Sequence, residues 1–184
     1  MSSQKQTKRP PTIGIDLGTM YSCIGTWNRV TNKVDIIQRV PSSLSFFHSC
    51  TFIGLHSDDL MEMNPNHTLF DIKRLIGRNS DDENTQKEMK RWPFKLTKTA
   101  HSRLSIQITN SNNEKTIFNS EDILAMFLFY LKQIADRYIG ESVSNVIISI
   151  PQFFNNTQRQ SVKDSAKIAG LNVYRLASEP SPMD

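Results

Sequence analysis

A chain of 184 residues with 38% hydrophobic and 22% charged side chains has the composition of one folded unit, with room for an inserted lobe, and excludes wholesale disorder. No apolar run approaches the ~20 residues of a membrane-spanning helix. Two cysteines, Cys23 and Cys50, cannot build a disulfide framework and fit a reducing compartment. The net charge of +4 is mostly a terminal effect, because Lys5, Lys8 and Arg9 precede the first acid, Asp16. Residues 1–11 are expected to be a disordered basic tail without the apolar stretch of a signal peptide. The near-neutral body behind them speaks against a nucleic-acid partner.

The ordered part opens at residues 12–18, where Ile13, Ile15 and Leu17 alternate with Gly14, Asp16 and Gly18 in a strand pattern. Residues 21–27 and 33–38 read as two further strands joined by a turn at 30–32, and residues 41–43 end the meander. Residues 44–54 have room for one or two short strands. Residues 68–77 read as a short helix, capped by Thr68 with Asp71 three positions on and stopped by Gly77. The polar stretch 79–90 fits a loop or an exposed helix. Residues 94–118 alternate loosely around a hairpin-like turn at 110–113.

Ser120 then reads as the cap of a long helix. Ile123, Leu124, Phe127, Leu128, Leu131, Ile134, Ala135 and Tyr138 form one stripe, and Gly140 ends it. Residues 146–150 form a buried strand closed by Pro151. Asn155 caps another helix, with Gln158 in the capping-box position, and residues 172–177 form a last strand. This order predicts an α/β fold with a mixed sheet, antiparallel at its start and parallel later. It divides into a core subdomain (12–42 and 119–184) and an inserted α+β subdomain (43–118).

Three places carry candidate chemistry. Gly14, Asp16 and Gly18 share one strand face, open to close approach, and the turn Gly18-Thr19-Met20-Tyr21 offers backbone amides that can cradle an anion. A carboxylate beside such a nest suits phosphate with Mg²⁺, a cation of hard oxygen ligands; an ordinary glycine turn with Asp16 at the rim is the equal alternative. Lys73 lies at the edge of the apolar stripe Leu69, Ile72 and Ile76, either reaching into a cleft or snorkelling to water. Glu179 follows the last strand, where ligands collect at strand carboxyl ends, although a solvated loop acid is the commoner outcome. His48, His56, His67 and His101 have no metal-ligand spacing, and Trp92-Pro93-Phe94 reads as a small core cluster. The motifs of P-loop and Rossmann proteins are absent.

Taken in order, Ile13-Gly-Ile-Asp-Leu-Gly-Thr-Met-Tyr-Ser-Cys, Met63-Asn-Pro, Phe70-Asp-Ile-Lys-Arg-Leu-Ile-Gly-Arg, Arg91-Trp-Pro-Phe, Pro151-Gln-Phe-Phe-Asn-Asn-Thr-Gln-Arg-Gln, Ile168-Ala-Gly-Leu-Asn-Val and Glu179-Pro resemble the ATPase domain of the seventy-kilodalton heat-shock chaperone family. The resemblance implies an actin-like, ribonuclease-H-like fold that binds ATP or ADP with Mg²⁺, and K⁺ as a further ion. It implies Asp16 near the metal, Gly18, Thr19, Met20 and Tyr21 around the phosphates, and Thr19 at the γ-phosphate. Lys73 would orient the attacking water, and Glu179 would hold a metal-bound water. Pro151 and Arg159 would relay nucleotide state, and Arg175 would meet a J-domain co-chaperone. Nucleotide-exchange factors are further implied partners, and the cytoplasm or nucleus the expected location.

Met20, Asn156 and Ser178 depart from the family's usual Thr, Asp and Asn. The resemblance stops after Glu179-Pro, short of the second phosphate loop and second lobe. The expectation is therefore a truncated protein, lobe I only, with little turnover alone. A non-catalytic interaction protein on the same scaffold is the second reading; an actin-related or sugar-kinase-like enzyme, lacking Arg-Trp-Pro-Phe, is the third.

Overall fold

The computed structural model describes residues 10–48, 50–98, 103–110 and 113–179. Most of the expected basic tail, His101 and Pro180 lie outside the described residues. The chain opens with β1 (Thr12–Asp16), β2 (Tyr21–Asn28) and β3 (Lys33–Pro41). Then follow β4 (Leu44–Phe47), β5 (Cys50–Ile53), α1 (Leu55–Asp59), a 3₁₀ turn (Pro65–His67), β6 (Thr68–Leu69), α2 (Ile72–Leu75) and α3 (Glu83–Met89). The remainder is β7 (Lys95–Lys98), β8 (Leu104–Thr109), β9 (Lys115–Asn119), α4 (Ser120–Ile139), β10 (Asn145–Ile150), α5 (Asn156–Ile168) and β11 (Asn172–Ser178).

The first three strands and the last two form one five-stranded sheet in the order β11-β10-β1-β2-β3. β1 runs antiparallel to β2 and parallel to β10, and β10 parallel to β11, as the sequence order predicts. Alternation decides the faces. Ile13, Ile15, Ile24, Val146, Ile148 and Ile150 turn into the core, where Leu124, Phe127, Leu128 and Leu131 of α4 and Val162 and Ala166 of α5 are also buried. Tyr138 departs from the predicted stripe and is exposed, as the last turn of α4 runs past the core. On the opposite face Trp27, Val34 and Ile36 stay more than half exposed and, with Gly14, Gly25 and Ile147, line an apolar trough of about 430 Å³.

Between β3 and α4 the chain builds two small sheets, β5-β4-β6 and β7-β8-β9, with short helices between them. Here the structure corrects the sequence reading in two places. The helix expected over 68–77 shrinks to Ile72–Leu75. Thr68 does not cap it: its hydroxyl donates to Asn64 O at 2.8 Å and lies 2.9 Å from Ser45 Oγ, and Thr68–Leu69 pairs with β4 as a strand. Strand pairing outweighs local helix propensity, and Asp71 becomes the flanking residue. Gly77 does end the segment, with φ +64°. The cap of α4 is Asn119 rather than Ser120, and the Asp122 carboxylate accepts the Asn119 N–H at 2.9 Å. The polar stretch 79–90 resolves into α3, capped by Asp82.

Candidate functional site

The parallel part of the sheet sets side by side the carboxyl ends of β1, β10 and β11, the edge at which open α/β sheets receive ligands. Asp16 ends β1 in register with Ser149 of β10 and Cys23 of β2. Its exposed carboxylate accepts the Ser149 hydroxyl at 2.5 Å. Ser149 went unnoticed in the sequence. The available signal was a lone hydroxyl in the run Val146-Ile-Ile-Ser-Ile, on the strand face that Asp16 occupies one strand away.

After Leu17, which is buried, the chain doubles back through Gly18. A Cβ at Gly18 would sit 1.9 Å from the Tyr21 carbonyl oxygen, so no other residue fits this turn. The Met20 carbonyl accepts the Ser42 N–H at 2.8 Å, and the Ser22 and Ser42 hydroxyls lie 2.9 Å apart. Thr19 is half-buried, the Met20 side chain stands in solvent, and the Tyr21 ring lies 4.0 Å beneath the Arg39 guanidinium carbon. A tight backbone turn with little side-chain cover therefore follows the exposed carboxylate.

Lys73 comes from α2, between the two small sheets, and is buried. Its Nζ meets Glu179 Oε1 at 2.5 Å, across 106 residues of sequence. Glu179 is itself tied to the core sheet, its N–H donating to Ile150 O at 2.9 Å. Nothing in the sequence couples these two positions; only the fold joins them. The alternative of a snorkelling lysine and a free loop acid does not hold.

The other positions singled out in the sequence divide. Pro151 is buried, and Arg159 donates from Nε to Phe154 O at 2.9 Å and from Nη2 to Gln152 O at 3.0 Å. Arg159 thus pins the loop that Pro151 opens. Arg175 stands apart and exposed on edge strand β11, next to Tyr174, where the pairing with β10 skips a residue. Trp92 and Phe94 are buried and stacked, a core cluster as the sequence suggests. Among the described residues no three His, Cys, Asp or Glu side chains converge as a metal site. A polar cavity of about 480 Å³ lies elsewhere, between Gly77–Asp82 and the starts of α4 and α5, and none of Asp16, Lys73 or Glu179 lines it. At its wall Asp82 accepts from Thr85 N at 2.9 Å and Thr85 Oγ1 at 3.0 Å; the backbone bond foremost holds this carboxyl below its ordinary value.

A mixed five-stranded sheet of this order, with a glycine turn after β1 and a helix–strand–helix–strand return, defines an α/β domain of the actin-like ATPase class, corresponding to its lobe I. The model of the Hsp70 protein family matches residues 12–183, and the chain belongs to that family. It is 41% identical over 177 residues to the heat shock cognate 70 kDa protein 3 of Dictyostelium discoideum, covering 92% of this chain and 28% of the relative. Against a ribosome-associated molecular chaperone of Saccharomyces cerevisiae it is 41% identical over 175 residues, with the same coverages of 92% and 28%. Against the heat shock 70 kDa protein of Emericella nidulans it is 38% identical over 178 residues, covering 93% of this chain and 27% of the relative. The chain thus spans little more than a quarter of the length of these relatives.

Proposed function

We propose that this chain binds the phosphate end of ATP or ADP at the carboxyl ends of β1, β10 and β11, as lobe I of a chaperone nucleotide-binding domain, and that the whole protein uses the nucleotide for ATP-dependent protein folding. The observation that carries this reading is the convergence of the Gly18 turn, the exposed Asp16 carboxylate and the Lys73–Glu179 pair on one sheet edge. The turn amides from Gly18 to Tyr21 receive phosphate oxygens, and the Thr19 hydroxyl adds a donor beside the γ-phosphate. Met20 contributes through its backbone, so the loss of a hydroxyl there leaves the cradle intact. The donor set fits Mg²⁺ held through water. Asp16, Ser149 and Thr19 offer hard oxygens but no closed cage, and Mg²⁺ prefers to keep part of its hydration. When bound, the ion would neutralise phosphate charge, and the same hard oxygens of Asp16, Ser149 and Thr19 could serve K⁺.

In this reading Lys73 is the fixed positive charge for the terminal phosphate, and Glu179 holds that lysine and would also hold a water of the metal were the ion bound. Residues 12–42 and 119–184 form the subdomain with the phosphate turn, and residues 43–118 the inserted subdomain that supplies Lys73. Lobe I by itself leaves the phosphates hydrated on their far side, so this reading gives lobe I phosphate binding rather than turnover of its own. The second reading, an interaction protein without turnover, draws on Arg175. Its guanidinium is exposed on an edge strand and suits an acidic residue of a J-domain co-chaperone. Pro151 and Arg159, in a pinned loop at the end of β10, would pass nucleotide state toward that surface and to nucleotide-exchange factors.

Titration of ¹⁵N-labelled protein with Mg·ADP tests the first reading. The expected result is saturable shifts of the Gly18, Thr19, Met20 and Ser149 amides that Asp16→Asn weakens. An unchanged spectrum at millimolar nucleotide, or shifts confined to other elements, overturns it and leaves the interaction reading.

A further inference from the structure

The segment that carries Lys73 has little means of holding its own shape. α2 is four residues long, a single turn, and an isolated turn of helix is not self-supporting. Asp71, immediately before it, adopts φ +56° and ψ 29°, a left-handed conformation uncommon outside glycine. Its carboxylate makes no capping bond to α2. Instead Asp71 Oδ2 accepts the indole N–H of Trp92 at 3.3 Å, while Oδ1 lies 4.0 Å from Arg74 Nε.

Trp92 is buried and stacks on Phe94 with ring centres 5.9 Å apart and planes 16° from parallel. Phe94 in turn meets Phe70 edge-on at 5.7 Å. The two rings therefore grip two successive residues, Phe70 by an aromatic contact and Asp71 by a hydrogen bond. At the other end of the segment Gly77 lies directly on α5, where a Cβ would come within 2.6 Å of Gln158 Cα. From a turn clamped at both ends, the Lys73 side chain reaches Glu179.

We propose that Trp92 and Asp71 are positioning residues for Lys73. The indole N–H fixes the Asp71 carboxylate and the carboxylate keeps residue 71 left-handed. That conformation sets the direction in which Lys73 leaves the chain toward Glu179. The value of this placement for phosphate binding rests on the reading above; the placement itself is a property of the nucleotide-free protein. A merely structural aromatic cluster would stabilise the fold without steering Lys73.

The test uses the full chain without nucleotide, labelled with ¹⁵N-lysine, and follows the Lys73 side-chain ammonium resonance, assigned with Lys73→Arg. Glu179→Gln supplies the resonance of an unpaired Lys73. Trp92→Phe keeps an aromatic ring, smaller than the indole, and deletes the donor, and it is expected to move the resonance to the Glu179→Gln position. Asp71→Asn, with Trp92 in place, keeps an acceptor oxygen and is expected to leave the resonance at its wild-type position. Ile106→Val, a destabilising change in buried strand β8, should lower the melting temperature and leave the resonance in place.

A wild-type resonance in Trp92→Phe, or an equal displacement in Ile106→Val, overturns the proposal. Should Trp92→Phe not fold, exchange of the indole proton with solvent decides instead. Removal of the acceptor in Asp71→Ala should speed it roughly tenfold, as loss of one charge-assisted hydrogen bond implies; an unchanged rate overturns the proposal. None of these readouts needs nucleotide, so they stand or fall apart from the Mg·ADP titration.

Discussion

The five-stranded sheet and the region between β3 and α4 are built by different means. The sheet has strands of five to nine residues, backed by a 20-residue helix and a 13-residue helix whose core-facing residues Leu124, Phe127, Leu128, Val162 and Ala166 are fully buried. The other region has helices of four to seven residues and strands as short as two. Single side-chain bonds stitch it together: Ser43 Oγ to Asp58 at 2.7 Å, Asn64 Nδ2 to Phe46 O at 2.7 Å, Trp92 to Asp71. The first rests on long cooperative elements; the second packs Leu44, Leu69, Ile72, Leu75, Leu104 and Ile106 into the shared core, but on short elements joined by individual polar contacts, and regions of short elements open at lower cost than long core elements. The candidate site draws on both. Asp16, Ser149 and Glu179 sit on the stiff sheet, while Lys73 is delivered by the weaker region. The contrast predicts local opening that withdraws the lysine while the sheet stays folded.

The largest effect should come from the shared core. Phe127 is fully buried in α4, the helix that packs against both the sheet and α2. Phe127→Ala should cost about 4 kcal/mol in urea unfolding, and the sheet and the 44–119 region should lose structure in one transition. Two separated transitions in the wild type would show instead that the regions fold independently.

Gly77→Ala acts at the seam. The added Cβ would meet the α5 backbone at 2.6 Å, at a φ of +64° that alanine resists. A loss of ~3 kcal/mol is expected from strain and overpacking together. Hydrogen exchange should reveal it first, as faster exchange in α2 with β1 and β10 still protected. Uniform acceleration across the chain would mean that the seam is no weaker than the sheet.

The same contrast explains what was legible in the sequence. The meander, the α4 stripe from Ile123 to Ala135 and the Asn155–Gln158 capping box follow from local periodicity and cap chemistry, the mixed sheet follows from the order of the elements, and all are present. Residues 68–77 misled because their apolar spacing suits a helix, while Thr68 and Leu69 pair with a strand more than twenty residues earlier. Asp16, the Gly18 turn, Lys73 and Glu179 could each be picked out by type and place. Their arrangement could not, since the Lys73–Glu179 contact spans 106 residues and Ser149 meets Asp16 across 133. Asp71 and Trp92 escaped for a similar reason: an acid expected inside a helix proves to be its left-handed entry residue, held by an indole from a later loop.

The smallest predicted effect isolates one of the stitches of the weaker region. Asp82 caps α3 through Thr85 N and Thr85 Oγ1, and the backbone bond, then the hydroxyl, hold its carboxyl below the ordinary 3.8. A carboxyl depressed in the folded state contributes stability that is complete above its unfolded value and is lost as pH falls through the folded one. α3 should therefore be fully capped at pH 5 and above, and fray as acid protonates Asp82 somewhere below 3.8. Amide exchange at Thr85 and Gln86 should accelerate over that acid range while the amides of β1 and β10 stay protected. Asp82→Asn keeps an acceptor for the Thr85 N–H but cannot titrate, so α3 should lose this pH dependence and keep most of its protection at neutral pH. Asp82→Ala should fray α3 at every pH. If Asp82→Asn still frayed with the wild-type acid profile, another carboxyl would govern this end of the helix, and fraying of the sheet in step with α3 would show that the two regions respond to acid as one.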